Sequence, residues 1–78
     1  MPIVVEVRGD YIQLDQLLKT TGLCHSGGYA HSEIDAGKVT VDGLVETRKR
    51  AKLRPGQRIS YGGESIELIS TPSADLLP

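Results

Sequence analysis

Ile3, Val5 and Val7 alternate with Val4 and Glu6, a period of two that predicts a strand with one buried face. After Gly9 and Asp10 the period lengthens. Leu14, Leu17 and Leu18 recur at helical spacing, with Asp15 and Gln16 on the other side, so a short amphipathic helix is expected to about Thr20. Gly22 is placed to end it, and Leu23 to fold back as its hydrophobic contact. Ser26 has the character of an N-cap. Ala30 and Ile34, four apart, then form the inner face of a second helix that stops at Gly37. So few residues join the two helices that they must pack as a helix–turn–helix pair.

Beyond Gly37 the period returns to two. Val39 and Val41 alternate with Lys38 and Thr40, Asp42-Gly43 is a hairpin turn signal, and Leu44 and Val45 begin the return strand. The segment 47–54 reads as extended, with Ala51 and Leu53 as its inward positions. Pro55-Gly56 and Gly62-Gly63 are further turns, between which Ile59 and Tyr61 alternate with Arg58 and Ser60, and Ile66 and Leu68 mark a last strand. The expected architecture is α+β: two packed helices against a small, mostly antiparallel, twisted sheet. A single domain is expected over 1–70, with a C-terminal tail over 71–78, where two prolines interrupt regular structure.

The 78 residues make one small domain with a thin core, and leave no room for a catalytic domain beside it. Trp and Phe are absent, so aliphatic side chains must fill that core. The single cysteine, Cys24, excludes an internal disulfide framework and suits a reducing compartment. The apolar stretch at 3–7 is too short for a secretory h-region, and no run approaches a membrane span, so a cytoplasmic protein with no membrane partner is expected.

The formal net charge is only −1, but its distribution is uneven. Of nine Lys and Arg, six (Arg48, Lys49, Arg50, Lys52, Arg54 and Arg58) fall within 48–58, and no acid interrupts that window. In an extended strand Arg48, Arg50, Lys52 and Arg54 would share one face, about 6.6 Å apart. Such a row repels itself. A polyanion relieves the repulsion and gains from counterion release, and Arg pairs with phosphate through two hydrogen bonds. The bland alternative is a solubilising edge strand that discourages aggregation. The start of the second helix, Ser26-Gly27-Gly28, offers free N–H groups and a favourable dipole to an anion, although a simple N-cap with small residues explains it as well. It is not a nucleotide-hydrolase phosphate loop, because the Gly-Lys-Ser/Thr ending is missing.

Cys24, His25 and His31 are too few and too poorly spaced for a metal site, and no orienting group accompanies a Cys–His nucleophile. No catalytic residue, metal ligand or cofactor site is identified. With three aromatic residues, Tyr11, Tyr29 and Tyr61, the chain is a poor platform for stacking runs of single-stranded bases.

Several segments taken in order resemble the S-four RNA-binding domain, named for the fourth protein of the small ribosomal subunit. They are 14–19 (LDQLLK), Ser26-Gly27-Gly28 with Ala30, 36–43 (AGKVTVDG) and 53–57 (LRPGQ). The Ser-Gly-Gly opening and 46–50 (ETRKR) are similar to the stand-alone bacterial YbcJ/YaaA-like subset. The match runs from about Tyr11 to Ile69. The resemblance implies a helix pair followed by a small sheet that binds structured RNA of the ribosomal or transfer class; with no catalytic unit in the sequence, a non-enzymatic protein is expected, and a monomer. Gly27 stands where many members carry Arg, His31 where the subset often has Lys, and Asp42 where Asn is common. The second helix is therefore poorer in fixed positive charge, and the weight of RNA contact shifts to the strand after the hairpin. The candidate RNA-binding residues are Lys19, Ser26, Gly27, Gly28, His31, Lys38, Arg48, Lys49, Arg50, Lys52 and Arg54. The alternative is a protein-interaction module whose basic edge binds an acidic partner.

Overall fold

The structure, a computed structural model, describes residues 2–70; the tail expected over 71–78 lies outside the described residues. Seven strands and two helices follow in the order β1 (Ile3–Val7), β2 (Ile12–Gln13), α1 (Leu14–Thr20), α2 (Gly27–Asp35), β3 (Val39–Val41), β4 (Leu44–Val45), β5 (Lys52–Leu53), β6 (Arg58–Tyr61) and β7 (Glu64–Ser70). The two helices, the β3–β4 hairpin and the β6–β7 hairpin fall where the hydrophobic pattern put them.

Both hairpins turn on two residues with positive φ, Asp42 (51°) with Gly43 (85°), and Gly62 (59°) with Gly63 (82°). This backbone matches the right-handed twist of the strands it joins. Five strands make the main sheet in the order β1-β7-β6-β3-β4, so β1 and β4 are its edges. The pairs β7–β6, β6–β3 and β3–β4 are antiparallel. The first and last strands pair in parallel, from Ile3 opposite Ile66 to Val7 opposite Ser70. No local signal announces that pairing.

Leu14, Leu17 and Leu18 of α1 pack with Ala30 and Ile34 of α2 and with Val39, Ile59 and Ile66 of the sheet, all fully buried. The N–H of Gly22 donates to Lys19 C=O and that of Cys24 to Leu18 C=O, both at 3.0 Å. These bonds satisfy carbonyls at the end of α1, and Gly22 adopts φ +79° to make the turn. Ser26 caps α2, its Oγ accepting from the Tyr29 N–H at 3.1 Å.

The segment 47–54 departs from the expected strand. Ala51 N–H donates back to Arg48 C=O at 3.1 Å, closing a turn over 48–51, and only Lys52–Leu53 is extended. The row of Arg48, Arg50, Lys52 and Arg54 along one face of a strand therefore does not form. Ala51 and Leu53 do point into the core. The cause is tertiary. The chain at Gln13 gives α1 no side-chain cap. Instead the first two N–H groups of the helix donate to this segment, Leu14 to Ala51 C=O at 3.0 Å and Asp15 to Lys49 C=O at 2.9 Å. β2 pairs with β5 beside them, Ile12 opposite Leu53 and Gln13 opposite Lys52, in a two-stranded sheet with no counterpart in the sequence pattern. Turning at 48–51 brings two carbonyls to a helix end that would otherwise leave its donors unpaired.

Candidate nucleic-acid interface

The turn over 48–51 presents its cations beside α2. Arg48, Lys49 and Arg50, with Thr47, form one wall of an open hollow whose other wall is His31, Ser32 and Asp35. Arg48 and Arg50 also line a second, adjoining hollow with Ala51 and Lys52. The turn thus gathers on one surface the cations at 48, 49, 50 and 52, and fastens them by backbone hydrogen bonds to the start of α1.

Their electrostatic states differ. Arg48 is clamped by Glu46: its Nε donates to Oε2 at 3.0 Å and its Nη2 to Oε1 at 3.1 Å, and its backbone N–H also reaches Oε2 at 3.0 Å. The side-chain hydrogen bond to Arg48 holds the Glu46 carboxyl below its ordinary range, and Glu46 in turn raises the guanidinium. The Arg48 side chain is nevertheless 79% exposed, whereas the Glu46 side chain that holds it is only 18% exposed. Lys49, Arg50, Lys52 and Arg54 have no carboxylate partner among the described residues. The Lys52 ammonium lies 5.0 Å from the centre of the Tyr11 ring, a favourable cation–π geometry. Arg54 is exposed beyond the turn, its backbone N–H held by Gln57 Oε1 at 2.7 Å, and lines neither hollow.

The candidates on the helices divide in the same way. His31 stands in the first hollow, where its Nε2–H donates to Asp15 Oδ2 at 2.9 Å. Lys19 runs past the start of α2, its Cδ 4.0 Å from where a Cβ on Gly27 would sit. It therefore joins Ser26, Gly27 and Gly28 at the helix end rather than the basic turn. Lys38 is turned to Glu33, at 3.2 Å, and lines neither hollow. Glu33 also accepts a 2.6 Å hydrogen bond from the Tyr61 hydroxyl, which with Lys38 keeps its carboxyl below the ordinary range and pushes the phenol up. Cys24 is buried beside this pair, its thiol pushed up by burial. His25 stacks on Tyr29 with ring centres 5.0 Å apart. Among the described residues no three His, Cys, Asp or Glu are grouped to hold a metal ion, and no helix is long and apolar enough to cross a membrane.

Sequence reasoning did not find Glu46, Asp15, Ser32, Asp35 or Thr47 at this surface. Glu46 was legible in principle, because residues two apart share a face in extended chain and it precedes Arg48 by two. The others depend on how α2 lies against the turn.

The arrangement suits a polyanion: a shallow, open surface with several solvated cations and no enclosed chamber. The comparisons with known proteins point the same way. The model of the S4 domain matches residues 5–69. YbcJ of Escherichia coli (strain K12) is 43% identical over 60 residues, spanning 77% of this chain and 86% of its own length. A tyrosine–tRNA ligase of Ralstonia nicotianae (strain ATCC BAA-1114 / GMI1000) is 37% identical over 60 residues, a match that takes in 15% of that enzyme. Among solved structures, the solution structure of E. coli YbcJ superposes with a TM-score of 0.64 at 38% identity, covering 87% of this chain and 85% of that one. It is described as revealing an αL motif involved in RNA-binding.

Proposed function

The chain belongs to the S4 domain family, and on that premise we propose that it is a non-catalytic RNA-binding protein that grips the phosphate backbone of structured RNA. The observation that carries this reading is the basic turn: Arg48, Lys49 and Arg50 set against α2, with Lys52 continuing the surface. Phosphates lie over the turn, Ser32 donates from the opposite wall beside His31, and the start of α2 with Lys19 meets a further phosphate of the same strand. With few aromatic side chains and a solvated cation cluster, recognition rests on backbone and shape rather than on splayed bases. The αL motif of YbcJ and the segment shared with a tyrosine–tRNA ligase support ribosomal or transfer RNA as the partner class, bound by a monomer in the cytoplasm.

The test is the triple variant Arg48→Glu, Arg50→Glu and Lys52→Glu, titrated against transfer RNA by fluorescence anisotropy. All three side chains are exposed, so the circular dichroism spectrum is expected to stay as in the wild type while RNA binding is lost. Unaltered binding would overturn the assignment. A pull-down repeated after ribonuclease treatment separates the acidic-protein alternative, whose partner survives digestion.

A further inference from the structure

We infer that the hollow between the outer edge of β1 and the β2–α1 corner is a seat for one unpaired nucleobase of the bound RNA, with Tyr11 as its stacking surface. The inference rests on the RNA-binding reading above and extends it beyond the phosphates.

Tyr11 differs from the other two tyrosines. The Tyr61 hydroxyl is committed to Glu33, and Tyr29 is stacked on His25. Tyr11 is 39% exposed, and its hydroxyl makes no hydrogen bond within the described residues. Its ring helps to line an open hollow of about 590 Å³, large enough for a small ligand. Ile3, Val5 and Ile12 add apolar wall, while Gln16 and Thr20 of α1 supply hydrogen-bonding groups. β1 is an edge strand, so alternate N–H and C=O groups along it face away from β7. A largely apolar slot with a ring, an amide, a hydroxyl and outward-facing backbone groups of β1 suits a flat heterocycle with donors and acceptors on its rim.

Two further observations select a base of the same RNA over other occupants. The first is continuity. Lys52 shares the second basic hollow with Arg48 and Arg50, and its ammonium also rests 5.0 Å from the Tyr11 ring centre. A strand whose phosphates follow the basic turn reaches Tyr11 at the next cation. The second is charge. Glu6 and Arg8 both stand at the hollow. The carboxylate of Glu6 disfavours a phosphate inside it but can accept from the exocyclic amine of a base, while Arg8 and Lys52 hold the flanking phosphates outside. One ring cannot stack a run of bases; it can hold one.

The test uses a short RNA hairpin, either blunt or with a single unpaired 2-aminopurine at its 3′ end. The wild type is expected to bind the extended hairpin about 5- to 150-fold more tightly, the range for stacking one base on an aromatic side chain. The 2-aminopurine fluorescence should fall on binding. Tyr11→Ala should remove both the advantage and the quenching, Tyr11→Phe should keep them, and Gln16→Ala in the same lining should reduce the advantage with the ring intact. An extended hairpin that binds the wild type no better than the blunt one, or an advantage that survives Tyr11→Ala, overturns the seat while blunt-hairpin binding leaves the parent reading standing. If neither hairpin binds, both fall. Sedimentation equilibrium without RNA provides the last arm: self-association of the wild type that Tyr11→Ala abolishes puts a second copy in this hollow and overturns the inference.

Discussion

The clamp between Glu46 and Arg48 yields a quantitative prediction. A cation that neutralises a phosphate releases condensed counterions, and log affinity falls with log salt at about 0.9 per phosphate on a duplex. Lys49, Arg50 and Lys52 are available for this, whereas Arg48 already holds a carboxylate. If Arg48 keeps that partner, the three contacts at the turn contribute about −2.7 to the slope, or about a 40-fold loss of affinity between 50 and 200 mM salt, and the Lys19 contact adds the same amount to wild type and variant. Glu46→Gln retains the shape and an oxygen for the Arg48 N–H but removes the charge. A fourth cation of the turn then joins, its share of the slope steepens to about −3.6, and the corresponding loss over the same interval grows to about 150-fold. Affinity at low salt should rise, since the phosphate no longer competes with the carboxylate. The assay is fluorescence anisotropy of a labelled folded RNA, titrated at several potassium chloride concentrations with the wild type and with Glu46→Gln. A wild-type slope shallower than about −1, or the same slope for both proteins, refutes the reasoning.

Three other predictions concern the scaffold and the surface. Glu33 has its pKa lowered by the Tyr61 hydroxyl first and Lys38 second, so its contribution to stability is full above the ordinary carboxylate pKa and is lost as pH falls through the lowered folded value. Urea unfolding at neutral pH and in mild acid should therefore show a smaller acid-side loss in Tyr61→Phe than in the wild type; equal losses would contradict the assignment. Gly43 sits at φ +85° in the β3–β4 turn, where a β-branched side chain is strained, and Gly43→Val should lower stability by about 1–2 kcal/mol in chemical denaturation. Arg54 lines neither basic hollow, so Arg54→Ala should weaken RNA binding in anisotropy titrations far less than Arg50→Ala, and an equal effect would extend the interface past the turn.

The helix pair and both hairpins were legible because each depends on neighbours in sequence: leucines three and four apart, a capping serine, and Asp-Gly or Gly-Gly where φ must be positive. The segment 47–54 was not, for a particular reason. Its charges alternate with Ala51 and Leu53 in a pattern that imitates a strand, yet its backbone answers to Leu14 and Asp15, more than thirty residues earlier. Local periodicity reports which side chains go inward, and it did so correctly for Ala51 and Leu53. It cannot report that a distant helix end lacks a cap. The same limit hid β2, two residues long, and the parallel pairing of β1 with β7. At the site, the cation cluster was readable from the distribution of charge along the sequence, while the wall supplied by α2 and the carboxylate on Arg48 required the folded chain.

The pairing of β1 with β7 also governs how the domain bears tension. Because the two strands run the same way, a force drawing the segment before Ile3 and the segment after Ser70 apart slides one strand along the other. The hydrogen bonds between them are then strained together in shear instead of peeling one by one, as they would across an antiparallel hairpin. The first and the last strands described thus form a mechanical clasp, with the elements between them held by its two halves.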